Sequence, residues 1–271
     1  MTESLFDLEG SVAAVIGATG MLGGAIAEGL AKHGARVAVV GRNADRGEAR
    51  AEAIREAGGG AVFVEADAMS RDSLEHARDS IKRELGVCDV LVSAAGGNSP
   101  LASVTEQQAL GDLPLDAWRE NFDMNLVAGA LLPAQVFGTA MAARGTPASI
   151  INIASVSSHI PVSRGVAYSA AKAALLNLSK FLAREWATQS VRVNTITPGF
   201  FPAEQNRALL FNPDGTPTER GALILGRTPM QRFGDPSELV GAAVYLASHR
   251  ASGFVTGSDL CVDGGFLSYT V

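Results

Sequence analysis

The sequence predicts an α/β protein: one doubly wound parallel sheet of about seven strands, with helices on both faces. Three observations carry this. Short β-branched runs alternate with long Ala-rich amphipathic stretches along the whole chain. The first six runs are continuously or nearly continuously apolar, the pattern of strands buried on both faces. A glycine-rich turn stands directly between the first run and the first amphipathic stretch.

Strands are expected at 11–16 (SVAAVI), 36–40 (RVAVV), 61–65 (AVFVE), 88–92 (CDVLV), 149–154 (SIINIA), 191–196 (VRVNTI) and 258–262 (SDLCV). Helical periodicity covers 20–33, 44–57, 70–85, 116–143, 166–188 and 236–248. Asp116 and Asp235 are the expected N-caps of the fourth and sixth helices, and Gly34 and Gly86 end the first and third. Strand, helix, strand at this spacing means right-handed βαβ units. No linker, repeat or low-complexity tract interrupts them, so residues 1–271 are read as one domain. Two connections, 96–115 and 198–234, are longer than a compact domain needs and rich in Gly and Pro. Both follow the carboxyl ends of strands, where open α/β sheets bind ligands, and are expected to be substrate loops.

Composition narrows the function. Of 271 residues, 47% are hydrophobic and only 18% charged, which excludes a disordered chain. The net charge of −6 and the lack of basic runs argue against nucleic acid or an anionic membrane as partner. Cys88 and Cys261 form no CxxC, so neither a metal site nor a disulfide is expected; both are read as buried thiols in a reduced compartment. The N-terminus lacks a basic region followed by an apolar stretch, and the most apolar window, 127–143, holds Pro133 and Gln135. Neither a signal peptide nor a membrane span is read, and a soluble, cytoplasmic protein is expected.

The stretch GATGMLGG, 17–24, follows the first strand and opens a helix. Glycines there let the backbone turn tightly and bring its N–H groups up to a pyrophosphate. The plain alternative is an ordinary strand-to-helix turn. The second strand ends VVGRN. Where an NAD-preferring site usually has an acidic residue for the ribose hydroxyls, this chain has Gly41, followed by Arg42. Losing the carboxylate and gaining a guanidinium favours a 2′-phosphate, hence NADP(H) over NAD(H). Tyr168 and Lys172, four apart in a helical pattern, share one face. An ammonium beside a phenol favours the phenolate, which brings proton exchange toward neutral pH. Ser155, at the end of the fifth strand, is positioned to hydrogen-bond the reacting oxygen.

These residues resemble the short-chain dehydrogenase/reductase family through nearly the whole chain. The family pattern is TGxxxGxG after the first strand, NNAG after the fourth, an Asn in the next long helix, Ser…YxxxK, and PG after the sixth strand. This chain carries Gly17 and Gly23, Ala95–Gly96, Asn125, Ser155, Tyr168, Lys172 and Pro198–Gly199. It departs at Ile16 for the leading Thr, Met21 for the middle Gly, and Ser93 and Ala94 for the two asparagines. The resemblance implies a Rossmann domain in which Tyr168 is the general acid/base and Ser155 orients the carbonyl. Lys172 would bind the nicotinamide ribose and Asn125 would hold a water of the proton relay. The cofactor would lie along Gly17, Thr19, Gly20, Met21, Leu22, Gly23, Arg42, Asn43, Asp67, Ala68, Ala94, Ala95, Gly96, Tyr168, Lys172, Pro198, Gly199 and Phe201, with Asp67 and Ala68 against the adenine. It also implies a homotetramer, or a homodimer, packed through the long helices and the C-terminal segment.

Further stretches, AAGGNSP, LLPAQVFG, PGFFPAEQNRALL, TPMQRFG and DGGFLSY, are similar to the D-mannonate oxidoreductases (fructuronate reductases) of that family. A sugar acid needs cations near the reacting centre and hydrogen-bonding groups around the polyol. Arg164 and Arg207 are the candidate carboxylate ligands; Asn98, Gln205 and Asn206 suit hydroxyls, and His159 is placed toward the pocket. No metal ligand set is read. The leading expectation is an NADP(H)-dependent ketone reductase acting on such an acid. The alternatives are a 3-oxoacyl reductase or another sugar or polyol dehydrogenase, and, from another class, a catalytically silent NADP(H)-sensing protein.

Overall fold

The computed structural model describes residues 4–162, 164–203 and 206–270. Seven strands form one parallel sheet: β1 Val12–Ile16, β2 Arg36–Gly41, β3 Gly60–Glu65, β4 Val90–Ser93, β5 Ala148–Ile153, β6 Val191–Pro198 and β7 Asp259–Val262. Their order is β3-β2-β1-β4-β5-β6-β7. The direction of winding reverses between β1 and β4, which pair with Ile16 opposite Ser93. The ligand crevice of a doubly wound sheet opens at this point.

Strand residues alternate between two apolar layers. Ala13 and Val15 of β1 join the layer under α1 (Met21–Lys32) and α2 (Ala44–Glu56), while Val12, Ala14 and Ile16 join the opposite one. That opposite layer is closed by α3 (Arg71–Glu84), by a long helix and by α6 (Val166–Trp186). The long helix runs Leu115–Arg144 and comprises α4 (Leu115–Leu126), π-helical turns at Val127–Leu131 and Ala134–Gly138, and α5 (Thr139–Arg144). The π turns flank Pro133, whose missing N–H breaks the ordinary ladder. This helix has the length and apolarity of a membrane span, with a mean hydropathy of 1.6 over its most apolar window. Its Ala128, Ala130, Val136 and Phe137 are nevertheless buried within the fold, so it is a core helix.

The remaining helices are α7 (Arg207–Leu210), α8 (Glu219–Arg227), α9 (Val240–Ala247) and α10 (His249–Ser252). Asp235 caps a 3₁₀ turn, Pro236–Leu239, in a reciprocal box with Glu238, and that turn leads into α9. Asp116 is not an N-cap: Pro114 takes that position, and Asp116 pairs with Arg119 at 3.0 Å in the first turn. The missing N–H of proline costs nothing at a helix start, where donors lack partners anyway. Cys88 is buried, but Cys261 is exposed, because β7 is the outer strand of the sheet. The expected connection 96–115 contains two 3₁₀ turns, and 198–234 contains α7 and α8.

Candidate active site

The end of β1 turns into α1 through a backbone cradle that leaves no room for a Cβ at Gly17 or Gly23. A Cβ on Gly17 would lie 2.7 Å from the Ala94 and Ala95 backbone, and one on Gly23 would lie 2.6 Å from the Gly17 carbonyl. Backbone bonds hold the turn: Gly17 N–H to Val40 O at 2.9 Å and Ala94 N–H to Ile16 O at 2.8 Å. The Ser93 hydroxyl, by contrast, is buried without a partner.

Gly20, the N-cap of α1, supplies no side-chain acceptor, and the first turn holds no acidic residue. Asn43, Ser70 and Thr218 cap α2, α3 and α8 with their side chains. The N–H groups at the start of α1 are therefore free to meet an anion, as the cradle for a pyrophosphate requires. Met21 and Leu22 pack partly buried on the core beneath. The residues present fit a dinucleotide.

At the end of β2 a Cβ on Gly41 would fall 2.7 Å from the Thr19 side chain. The Thr19 side chain thus crowds Gly41, and Arg42 is the exposed residue beside it. After β3, the Asp67 carboxylate accepts the Met69 N–H at 3.0 Å, and its own N–H donates to Ser73. Ala68 is partly buried next to it.

Across the crevice, α6 begins after Gly165 and puts Tyr168 and Lys172 one turn apart. Lys172 is 4% exposed, and its Nζ donates to Ile153 O, the last residue of β5, at 2.8 Å. The same ammonium lies 5.8 Å from the centre of the Tyr168 ring. Burial lowers the Lys172 pKa to about 8 and raises that of Tyr168, against which a hydrogen bond with the Ser155 side chain acts in the lowering direction. Desolvation, more than the neighbouring ammonium, dominates the phenol. Ser155 caps the 3₁₀ turn Val156–Ser158, accepting from Ser157 N–H, while Ser158 Oγ accepts the Ser155 N–H.

Asn125 is fully buried, and its amide clamps Gly97 on both sides: Oδ1 accepts Gly97 N–H at 3.0 Å and Nδ2 donates to Gly97 O at 2.7 Å. Nδ2 also donates to Asn121 O at 2.8 Å, and the buried Asn121 side chain reaches Gly97 O as well. A Cβ on Gly96, at φ +150°, would lie 2.7 Å from Asn125 Oδ1 and 3.4 Å from Lys172 Nζ. The chain at 96–97 thus threads between both side chains. Gly199 N–H is bonded to Val262 O at 2.9 Å, which ties Pro198–Gly199 to β7.

Several expected substrate residues have other partners. His159 Nε2 meets Asp259 Oδ2 at 2.8 Å. Asn206 folds into its own loop, with Oδ1 accepting Ala203 N–H and Nδ2 donating to Phe201 O. Arg207 lies 5.2 Å over the Phe211 ring. Phe201 is 6% exposed in the core, its ring packed where Gly234 leaves room. Asn98 is exposed and donates to Ser103. Gln205 lies outside the described residues.

Arg164 is exposed at the rim, in a left-handed backbone conformation with φ +73°, next to the Gly165 that precedes α6. Its charge acts on Arg220 of α8 and, after burial, helps lower that guanidinium's pKa. Asn121 and Arg220 went unnoticed in the sequence. Asn121 stands one helical turn before Asn125, a spacing that was legible; nothing local marks Arg220. A cavity of about 550 Å³ lies elsewhere, lined by Asp7, Asp89, Ser149, Arg192 and His249.

The fold and this site define an NAD(P)-dependent oxidoreductase acting on hydroxyl groups. The family model described as Enoyl-(Acyl carrier protein) reductase matches residues 17–267. The chain belongs to the short-chain dehydrogenase/reductase family. It is 42% identical to an uncharacterized oxidoreductase, UxuB, of Bacillus subtilis, over 97% of both chains. It is 35% identical to a D-threitol dehydrogenase of Mycolicibacterium smegmatis, over 96% of this chain and 94% of that one. A Haemophilus influenza structure with bound NAD, provisionally named a D-mannonate oxidoreductase, superposes with a TM-score of 0.91 at 36% identity, covering 97% of each chain. A gluconate 5-dehydrogenase of Burkholderia cenocepacia in complex with NADP and tartrate gives 0.85 at 32%, covering 98% of each. Several of these relatives are named for sugar or polyol substrates.

Proposed function

We propose that this protein reduces the ketone of a sugar acid of the D-fructuronate type to the corresponding hexonate, and runs the reverse oxidation. The observation that carries the reading is the convergence of Ser155, Tyr168 and the buried Lys172 on the end of β5, beside a glycine cradle for a dinucleotide. Gly17, Thr19, Gly20, Met21, Leu22 and Gly23 would hold the pyrophosphate, Asp67 and Ala68 the adenine, and Ala94–Gly96 and Pro198–Gly199 the nicotinamide end. When bound, the nicotinamide supplies the hydride. Tyr168 gives its phenolic proton to the ketone oxygen as charge develops there, while Ser155 donates a hydrogen bond to the same oxygen. The Lys172 ammonium stabilises the phenolate left behind. Asn125, through the Gly97 peptide, holds the 96–97 backbone against Lys172 and so acts as a positioning residue.

Arg42 favours NADP(H), because its guanidinium suits a 2′-phosphate while Gly41 offers no carboxylate to the ribose hydroxyls. Arg164, whose left-handed backbone is held by bonds from Val104 N–H and Val166 N–H to its carbonyl, serves as the carboxylate ligand, and Arg220 adds to the field there. The D-mannonate name and the bound tartrate of the two neighbours support an acidic polyol. A homotetramer is supported by exposed apolar residues on the long helices, Leu115, Met124 and Phe181, and sedimentation as a monomer at micromolar concentration would overturn it. The unpaired thiols suit a reducing cytoplasm.

The test is cofactor oxidation with fructuronate, 5-ketogluconate and a 3-oxoacyl thioester. Turnover restricted to the keto acids, lost in Tyr168→Phe, is expected. Turnover of the thioester alone would replace the substrate class, and tight NADPH binding without any turnover would make the chain a sensor.

A further inference from the structure

Outside the Tyr168 cleft, one cluster of side chains has no part in the reaction. His159, from the turn after β5, and Asp259 and Cys261, both on β7, present ligand atoms that all lie within 4.8 Å of one another. They come from positions about 100 residues apart, so only the sheet brings them together. Asp259 and Cys261 are two apart on a strand and therefore share one face.

The cluster has the parts of a coordination site. Imidazole nitrogen, carboxylate oxygen and sulfur are the donor set that suits zinc and similar divalent ions rather than magnesium or calcium, which require oxygen ligands. The spacing fits as well. Donors held tetrahedrally by zinc stand about 3.4–3.6 Å apart, given bonds of roughly 2.1 Å to nitrogen or oxygen and 2.3 Å to sulfur. Cys261 Sγ lies 3.5 Å from Asp259 Oδ2. His159 Nε2, at 2.8 Å from the same oxygen, need only move out by about half an ångström to reach that spacing.

The carboxylate is also fixed from behind, as metal-binding carboxylates are. Thr197 Oγ1 donates to both Asp259 oxygens, at 2.8 and 2.9 Å, and Thr195 Oγ1 donates to Oδ1. Both threonines are buried on β6. Cys261 faces outward on the outer strand and His159 is one-third exposed, so an ion has a way in.

We propose that His159, Asp259 and Cys261 form a three-ligand binding site for zinc or a similar divalent transition metal, with its fourth position open. Binding forms the metal–sulfur bond as the Cys261 thiol proton leaves to solvent, and the His159–Asp259 hydrogen bond gives way to two bonds to the ion. Its consequence is local. His159 is the residue that ends the turn Val156–Ser158, which Ser155 begins, so the ion pins the support of Ser155 to β7.

The test is metal binding to the full chain after chelator dialysis. One zinc per chain should be retained, the melting temperature should rise with it, and cobalt(II) should give a thiolate-to-metal charge-transfer band. Cys261→Ser should abolish the band, and Cys261→Ser and His159→Gln should each weaken binding at least tenfold. Thr197→Val, which leaves all three ligands, should weaken it less while keeping the band. The site is refuted if no metal is retained at one equivalent, if the band persists in Cys261→Ser, or if His159→Gln binds as tightly as the parent.

Discussion

Replacing Lys172 by Met should stabilise this protein while removing its activity. The lysine is 4% exposed and, among the described residues, its ammonium has one acceptor, Ile153 O, at 2.8 Å. Burial takes its pKa from 10.5 to about 8. At about 1.4 kcal/mol per pH unit, the folded state at pH 7 therefore carries a penalty of ~3 kcal/mol for holding this charge. Methionine fills nearly the same volume without charge but leaves the Ile153 carbonyl unpaired, a loss of about 1 kcal/mol. The variant should be more stable by ~2 kcal/mol at pH 7.

The pH dependence gives the sign. Between pH 8 and 10.5 the unfolded chain keeps the proton that the folded chain has released, so wild-type stability rises with pH. The variant lacks this rise, and its advantage should vanish, then reverse, as pH approaches 10.5. Urea unfolding followed by circular dichroism from pH 7 to 10.5, at one fixed protein concentration, measures the difference. A variant less stable than wild type at pH 7, or a difference that stays flat across the range, would refute the argument.

Four further outcomes are expected. Tyr168→Phe should lower kcat by about 10²–10⁴ while NADPH affinity, read by fluorescence titration, stays within a fewfold, since it removes a proton donor and little else. Asn125→Ala frees the Gly97 peptide and leaves buried groups unpaired, so unfolding should cost less by roughly 1–3 kcal/mol, measured by denaturant titration. Gly23→Ala puts a carbon 2.6 Å from the Gly17 carbonyl, and isothermal titration should show cofactor affinity down at least tenfold. Arg42→Ala should reduce the ratio of kcat/KM with NADPH to that with NADH; an unchanged ratio would remove Arg42 from the cofactor site.

Much of the molecule was legible from local signals. Apolar runs and 3.6-residue periodicity located the strands and the main helices to within a few residues, because burial on two faces or one leaves its mark in consecutive residues. The Gly17–Gly23 turn was readable because a backbone that must approach both β4 and a ligand can carry no side chain there. Tyr168 and Lys172 were readable as a pair because four residues of helix return to the same face. The mixed roles of Asn206 and Arg207 were not, since a short polar side chain in a loop bonds its neighbours as readily as a ligand.

By itself, then, the sequence determined the fold class, the position of every strand and of the main helices, and the shared face of Tyr168 and Lys172, all of which rest on neighbours within a turn or two. Tertiary structure decided the rest. It seated β4 against β1, closed the Asn121–Asn125 clamp on Gly97, paired His159 with Asp259, and left Cys261 exposed on the outer strand. Each of these depends on groups 24 or more residues apart, or on which strand ends the sheet. Partners at such distances are chosen by packing of the whole sheet, and no local pattern encodes them.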